Sequence, residues 1–245
     1  MQSRGGQRPP YVDMPRFFCA EPVQQNTSFE LDARVAQHIR VLRLREGEAI
    51  TLFDGNGGEV PATLARIDKR NVEVATGEHI VIEREAARCV TLHVAVIANE
   101  RMDWMIQKAT ELGVVAIAPL YSERSQRIPG DVDKRVEHWR AVAIAACEQC
   151  GRNRIPEIYA PVALAEAVAS LSAQSLILLD AEGVALMSSI VESVCSVFVG
   201  PEGGFAASEL ELLRKRCDQR LRIGPTVLRA ETAAIAALAS LASLT

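Results

Sequence analysis

The chain has 245 residues, of which 49% are hydrophobic and 24% are charged, and its formal net charge is −4. This length provides a core for one large domain or two small ones, and the slightly acidic balance excludes the global basic field that many nucleic acid binding proteins carry. Six scattered cysteines favour reduced thiols in a cytoplasmic protein over a disulfide framework. Residues 1–13 are polar, so we expect a flexible N-terminus without a signal peptide, and no run reaches the ~18 apolar residues of a membrane helix.

Residues 14–85 have the pattern of a β-rich module. Ala49–Phe53 is a predicted strand, and the turn at Asp54–Gly58 would fold the chain back as a hairpin. Asn71–Thr76 alternates with a period of two, as a half-buried strand does. Ala33–Val41 is a predicted short helix. Because no long helical period appears, we predict a small β-barrel over residues 14–85.

Residues 86–245 alternate between strands and helices, which predicts an α/β domain with a parallel sheet and helices on both of its faces. The predicted strands are Val90–Ile97, Val114–Leu120, Ser175–Asp180, Cys195–Gly200 and Arg220–Gly224. The predicted helices are Glu100–Leu112, Asp131–Cys150, Ala160–Ala173 and Ala230–Leu244.

Two glycine-rich turns in the last quarter of the chain are the strongest functional signal. Gly200–Gly204 follows a predicted strand and precedes a helix, and it holds three glycines and a proline in five residues. Such turns let a ligand approach the backbone closely. The spacing matches neither a dinucleotide fingerprint nor a phosphate-binding P-loop. Glu202 gains nothing from packing between glycines, which favours a functional turn over a structural one. Together with Ile223–Arg229, this turn predicts one small-molecule site.

Other candidate motifs carry less weight. Cys147 and Cys150 form a C-x-x-C at the end of a predicted helix, where two thiols on one helical face are the better interpretation. The four histidines show no metal-binding spacing, so we expect no metal site. Two arginine-rich clusters, around residues 34–45 and 124–154, suit phosphate contacts as well as a solvated surface.

The closing motifs resemble those of the RsmE-type 16S ribosomal RNA (uracil-N3)-methyltransferases of the SPOUT superfamily. The similarity rests on segments spread in order along most of the chain: Pro15–Phe18, His38–Arg43, Phe53–Gly55, Gln107–Val114, Ser122–Ser125, Glu148–Arg152, Gly200–Phe205, Ile223–Gly224 and Leu228–Ala233. One departure lies at Ala98–Arg101, where the family often has a lysine.

This resemblance implies a deep trefoil knot in residues 86–245, a PUA-like barrel in residues 14–85, a homodimer and a 16S rRNA substrate in the small ribosomal subunit. It also implies S-adenosyl-L-methionine as the methyl donor for N3 of a uridine. The implied cofactor-binding residues are Leu179, Gly200, Glu202, Gly203, Gly204, Ile223, Gly224 and Leu228, and the implied RNA-binding residues are Arg16, His38, Arg40, Arg43, Arg124 and Arg152.

The catalytic assignment rests on what N3 methylation requires. Because N3 of uracil carries a proton, a base or an anion-stabilising cation is needed. Glu202 is the candidate base, with a neighbour of the cofactor sulfonium and a hydrogen-bonded brace as the other interpretations. Arg229 is the candidate anion stabiliser or phosphate clamp. For Glu231 an ion-pair network at the helix start is the favoured interpretation. Three alternatives stay open: methylation of tRNA, methylation of a ribose 2′-hydroxyl, and a non-catalytic RNA-binding role in ribosome assembly.

Overall fold

The computed structural model describes residues 14–171, 175–186 and 192–243. The predicted flexible stretch 1–13 lies outside these residues. The chain forms two compact units, the first containing the chain up to Arg84 together with Cys147–Ile155, and the second containing Glu85–Ala146 and the chain from Pro156 onward. The segment Cys147–Ile155 therefore belongs to the first unit, whereas the sequence analysis placed it in the second domain. The predicted boundary between residues 85 and 86 stays a prediction.

The first unit is built on a five-stranded sheet with the strand order β1-β3-β4-β5-β2. Strand β1 is parallel to β3, and the other pairs are antiparallel. The elements are β1 (Arg16–Phe18), β2 (Ser28–Glu30), α1 (Ala33–Val41), β3 (Ala49–Phe53), β4 (Val60–Ile67) and β5 (Val72–Thr76). The predicted helix and the predicted first hairpin strand have the observed bounds.

The core of this unit follows from the alternation of its strands and from one amphipathic helix. Phe17, Ile50 and Leu52 of the sheet are fully buried and pack with Ile39 of α1. The helix begins where the Asp32 side chain accepts a hydrogen bond from the backbone N–H of Val35, at 2.9 Å, which satisfies one of the free donors of the first turn.

The second unit contains a seven-stranded sheet with the path β12-β10-β11-β6-β7-β8, while β9 pairs with β7. All of its strand pairs are parallel. The elements are β6 (Cys89–Ala95), α2 (Asn99–Glu111), β7 (Ala116–Tyr121), α3 (Val132–Cys150, whose last four residues belong to the first unit), β8 (Glu157–Ile158), β9 (Val162–Ala163), α4 (Leu164–Ser170), β10 (Ser175–Ala185), β11 (Val194–Val199), α5 (Ala207–Arg216), β12 (Gln219–Arg222) and α6 (Ala230–Ser243).

Both faces of this parallel sheet are covered, as predicted. Side chains alternate across a strand, so Val197 of β11 joins the core formed with α2 and α6, whereas the neighbouring Phe198 joins the core formed with α4 and α5. Met102 and Met105 of α2 are among the fully buried residues of the core formed with α2 and α6. The trefoil knot stays a prediction. Among the described residues, no helix is long and apolar enough to cross a membrane.

This topology positions the two glycine-rich turns. Strands β10, β11 and β12 are neighbours and run in the same direction, so the loops that follow β11 and β12 emerge at one edge of the sheet, beside the irregular part of β10 between Leu179 and Val184. Ligands of open α/β sheets bind at this edge, outside the carboxyl ends of the strands.

Candidate active site

The irregular part of β10, between Leu179 and Val184, and the loops after β11 and β12 enclose a cavity of about 450 Å³ at the carboxyl edge of the sheet. These three segments are distant in sequence, but their strands are adjacent in space. Every predicted cofactor-binding residue except Gly203 lines the cavity: Leu179, Gly200, Glu202, Gly204, Ile223, Gly224 and Leu228. Known small-molecule sites occupy roughly 300–1,000 Å³, so the cavity has the size of a ligand site.

Glycines shape the turns because the backbone adopts conformations that other residues avoid. Gly204 has φ +68° and Gly224 has φ +69°, in the left-handed region where a Cβ atom is strained. The N–H of Gly204 donates to the carbonyl of Pro201 at 2.8 Å, which closes the turn. At Gly200 the constraint is packing, since a Cβ atom there would lie 3.2 Å from the ring of Phe205.

The walls of the cavity combine apolar side chains with exposed backbone. Val199, Phe205, Ile223 and Leu228 contribute apolar surface. The start of α6 contributes Ala230 and Ala233, whose small side chains leave the volume open. A flat aromatic ligand edged by backbone donors and acceptors suits this composition.

The irregular part of β10, between Leu179 and Val184, is held by an ion-pair network around Asp180. Its carboxylate accepts hydrogen bonds from the backbone N–H of Glu182 at 3.0 Å and from Arg214 of α5 at 3.0 Å. Burial by itself would raise the pKa of Asp180, but these hydrogen bonds and the nearby Arg214 charge lower it below its ordinary value. The ionised Asp180 therefore fixes the part of β10 that places Leu179 at the cavity.

Glu202 lies at the cavity and makes a long-range ion pair that sequence reasoning missed. Its Oε1 lies 3.1 Å from Nη1 of Arg101, near the start of α2. Nε of the same arginine lies 3.9 Å from Oε1 of the buried Glu231. The predicted ion pair of Glu231 therefore exists, with Arg101 as its partner.

Arg229 is exposed just before α6, next to the cavity-lining Leu228. Its carbonyl accepts a hydrogen bond from Ala233 at 2.8 Å in the first turn of the helix. The structure gives its guanidinium no ion pair or hydrogen bond with any other described residue. That guanidinium is therefore available to a ligand.

Two family models match the chain, an RNA methyltransferase domain at residues 84–242 and an RNA methyltransferase PUA domain at residues 31–77. A solved structure of a ribosomal RNA small subunit methyltransferase E from Neisseria gonorrhoeae, bound to S-adenosyl methionine, is 32% identical, with 94% of this chain and 98% of that chain covered and a TM-score of 0.89. The chain belongs to the ribosomal RNA small subunit methyltransferase E family. The resemblance seen in the motifs is confirmed, as is the α/β fold with an N-terminal PUA domain.

Two further proteins are similar to most of the chain. A methyltransferase from Legionella pneumophila, solved in complex with the bound cofactor SAM, is 37% identical, with 94% of this chain and 97% of that chain covered and a TM-score of 0.88. The ribosomal RNA small subunit methyltransferase E of Aquifex aeolicus is 32% identical over 203 residues, covering 81% of this chain and 87% of the relative.

Arg124, one of the predicted RNA-binding residues, contacts the glycine-rich turn. Its Nη1 donates to the carbonyl of Gly203 at 2.9 Å. Its aliphatic carbons cover Gly203, since a Cβ atom added to that glycine would lie 3.5 Å from Cδ of Arg124. Glu209 adds a second link, because it accepts from the backbone N–H groups of Glu123 and Ala206, both at 2.8 Å. The loop after β7 therefore braces the turn that carries Glu202.

Two other predicted RNA-binding residues, Arg16 and Arg152, are buried in the first unit, with exposed fractions of 5% and 3%. Arg16 donates to Glu59 at 2.7 Å and to Asn153 at 2.5 Å. Burial raises the pKa of Glu59, but hydrogen bonds from Arg84 and Arg16 outweigh it and bring the pKa to about 2. This placement argues against direct RNA contact by either arginine.

The remaining predicted RNA-binding residues, His38, Arg40 and Arg43, lie at the C-terminal end of α1. Arg40 donates to the carbonyl of Asp68 at 3.1 Å, and Nδ1 of His38 lies 3.8 Å from a carboxylate oxygen of Glu148. Arg43 is exposed, with φ +57° in the turn that ends the helix. These three side chains form a partly exposed basic surface of the first unit, which contains the PUA domain.

No group of three or more His, Cys, Asp or Glu side chains suited to a metal ion occurs within the described residues.

Proposed function

We propose that this protein is an S-adenosylmethionine-dependent methyltransferase of small-subunit ribosomal RNA. The observation that carries the proposal is the cavity formed by β10 and the loops after β11 and β12, in which the backbone of two glycine-rich turns is open to a ligand. Two relatives that cover over nine tenths of the chain were solved with this cofactor. Curated relatives from several bacteria carry the name ribosomal RNA small subunit methyltransferase E.

The residues present fit the cofactor. Leu179, Ile223 and Leu228 offer apolar surface for the adenine, and the backbone of the turns at 200–204 and 223–228 offers amide and carbonyl groups for the remaining polar atoms. The cofactor, when bound, supplies an activated methyl group on its sulfonium. The task of the protein is then to hold the acceptor in line with that group.

We propose N3 of a uridine as the acceptor, with Glu202 removing the N3 proton and Arg229 stabilising the resulting uracil anion. Glu202 lines the cavity, and the guanidinium of Arg229 is exposed beside it. Because N3 takes part in base pairing in a duplex, the target nucleotide must be unpaired or extruded.

For RNA binding we keep His38, Arg40 and Arg43, since their side chains are accessible. Arginine side chains suit phosphate contacts, which set the register of a protein on RNA but carry no sequence information. We further propose that the protein works in the cytoplasm and that it is a homodimer. Light scattering on the purified protein measures its molar mass and so tests the homodimer directly.

The deciding experiment is methyl transfer to small ribosomal subunits purified from cells that lack the enzyme, followed by mapping of the modified nucleoside. We expect one 3-methyluridine in 16S rRNA. A 2′-O-methyl product or transfer only to tRNA would establish one of the alternative substrates. Calorimetry that detects no S-adenosylmethionine binding would instead favour the non-catalytic assembly factor.

A further inference from the structure

Three charged side chains from three separate elements meet beside the cavity. Arg101 of α2 has one nitrogen 3.1 Å from the Glu202 carboxylate and another 3.9 Å from the Glu231 carboxylate. The side chains are exposed by 43%, 33% and 10%, respectively, so the group extends from the surface into the protein. The RNA chemistry proposed above assigns a role to Glu202 only.

Glu231 is the buried end of this group. It is the second residue of α6 and is 7% exposed. Its Oε2 is buried and has no hydrogen-bond partner among the described residues. A carboxylate in such a position requires a nearby compensating charge. The helix N-terminus supplies part of it, and Arg101 supplies the rest. Glu231 thereby draws the guanidinium of Arg101 toward α6.

Glu202 is the more exposed of the two carboxylates in this group. It lies in a turn that includes three glycines, and a glutamate side chain has three rotatable bonds. Without a partner, its carboxylate would sample several positions at the mouth of the cavity. A base must lie within hydrogen-bond reach of the proton that it removes, so its position decides how well it works. Arg101 is the charged partner that the structure gives it.

We propose that Arg101 is a positioning residue, which Glu231 anchors and which holds the carboxylate of Glu202 where the acceptor base meets the methyl group. A planar guanidinium can direct two different nitrogens at two carboxylates, which a lysine ammonium does less well. The inference rests on the proposed function, because it assumes that Glu202 acts on the acceptor.

A double-mutant cycle with Arg101→Gln and Glu202→Gln tests whether Arg101 acts through Glu202. Misplacement of a catalytic group by ~1 Å lowers the rate on the order of 10²-fold, so we expect Arg101→Gln to lower kcat by about that factor. The dissociation constant of S-adenosylmethionine, measured by calorimetry, should stay within about twofold. In the Glu202→Gln background, Arg101→Gln should change kcat by less than about twofold, since residues that act as a unit are strongly non-additive.

Two further substitutions separate positioning from folding. Arg101→Lys should restore part of kcat, and Glu231→Gln should lower kcat with Glu202 intact, because the anchor of Arg101 is weakened. Lys215→Ala is the matched control: it removes an exposed ion pair with Glu211, at 2.6 Å, on α5, and it should leave kcat unchanged. Circular dichroism and thermal melting verify that each variant is folded.

Hydrogen exchange of the turn provides a readout that needs neither cofactor nor RNA. Loss of an exposed ion pair worth roughly 0.2–1 kcal/mol corresponds to about 1.4-fold to fivefold faster local opening. We therefore expect the amides of residues 202–206 to exchange faster by this factor in Arg101→Gln and not in Lys215→Ala. Unchanged exchange, or an Arg101→Gln effect that persists undiminished in the Glu202→Gln background, would overturn the positioning role while leaving the proposed function intact. A wild-type protein that transfers no methyl group to RNA would overturn both.

Discussion

Replacing His93 with glutamine should remove a pH-dependent loss of stability from the second unit. His93 lies on β6 with an exposed fraction of 5%, and its ring stacks on Phe198 at 4.6 Å between centroids. Nε2 lies 3.2 Å from the hydroxyl of Ser196, and Nδ1 has no hydrogen-bond partner among the described residues. Burial disfavours the charged imidazolium and lowers the pKa of His93 from 6.5 to about 4.

The sign and the size of the effect follow from proton linkage. In the unfolded chain the imidazole is protonated as the pH falls through about 6.5, whereas the folded protein resists protonation until about pH 4. Below pH 6.5 the unfolded state therefore binds more protons, and stability falls until both states are protonated. A difference of about 2.5 pKa units corresponds to about 3 kcal/mol. The stabilising effect of the neutral histidine is complete above pH 6.5 and is lost toward pH 4.

Urea unfolding measured at several pH values between about 7 and 4 tests this linkage. Both tryptophans, Trp104 and Trp139, belong to the second unit, so their fluorescence reports the transition of that unit separately from the first. The wild type should lose about 3 kcal/mol relative to His93→Gln across this range, because the contributions of the carboxyl groups cancel in the comparison. A difference between the two proteins that stays constant with pH would refute the argument that buried His93 remains neutral.

Four further predictions concern the site, the basic surface and one buried arginine. Gly204→Val should weaken S-adenosylmethionine binding in calorimetry by about tenfold, since a side chain at φ +68° costs roughly 1–2 kcal/mol and distorts the turn; unchanged affinity would separate this turn from the cofactor. Arg229→Ala should lower methyl transfer by more than about tenfold while changing the free energy of unfolding by less than about 0.5 kcal/mol, because the residue is exposed; full activity would remove Arg229 from the mechanism. Replacing Arg40 and Arg43 together by alanine should reduce the slope of log RNA affinity against log salt concentration by about 1.5; an unaltered slope would contradict the assignment of these arginines to the RNA-binding surface. Arg16→Ala should instead destabilise the first unit by about 3 kcal/mol, because it leaves Glu59 buried without one of its partners. An undiminished unfolding midpoint would contradict the assignment of Arg16 to the interior.

The sequence predicted local structure well where a single segment contains the signal. Ala33–Val41 and Ala49–Phe53 have the observed bounds because capping, amphipathic spacing and strand alternation act within a few residues. Strands β8 and β9 were missed, since two residues are too few to show a period. Strand β10 extends to Ala185, beyond the predicted end at Asp180, because its pairing with β12 resumes after a register shift between Leu179 and Val184. Pairing with a distant strand leaves no mark in the local pattern.

The glycines of the cavity could be found in the sequence because each permits a local backbone conformation or a close contact that other residues do not allow. The side chains around them could not be placed in this way. Arg101 and Glu202 are 101 positions apart, and Arg16 and Asn153 are 137 positions apart. A motif shows that an arginine is present but not whether its partner is a phosphate in solution or a carboxylate in the core. Arg16 and Arg40 both lie in segments that carry the family resemblance, yet Arg16 is enclosed beside Glu59 while Arg40 is partly exposed and donates to a backbone carbonyl. The physical distinction is burial: an enclosed arginine needs an internal acceptor for its charge, so the contacts of each guanidinium decide which substitutions should change RNA affinity and which should change folding.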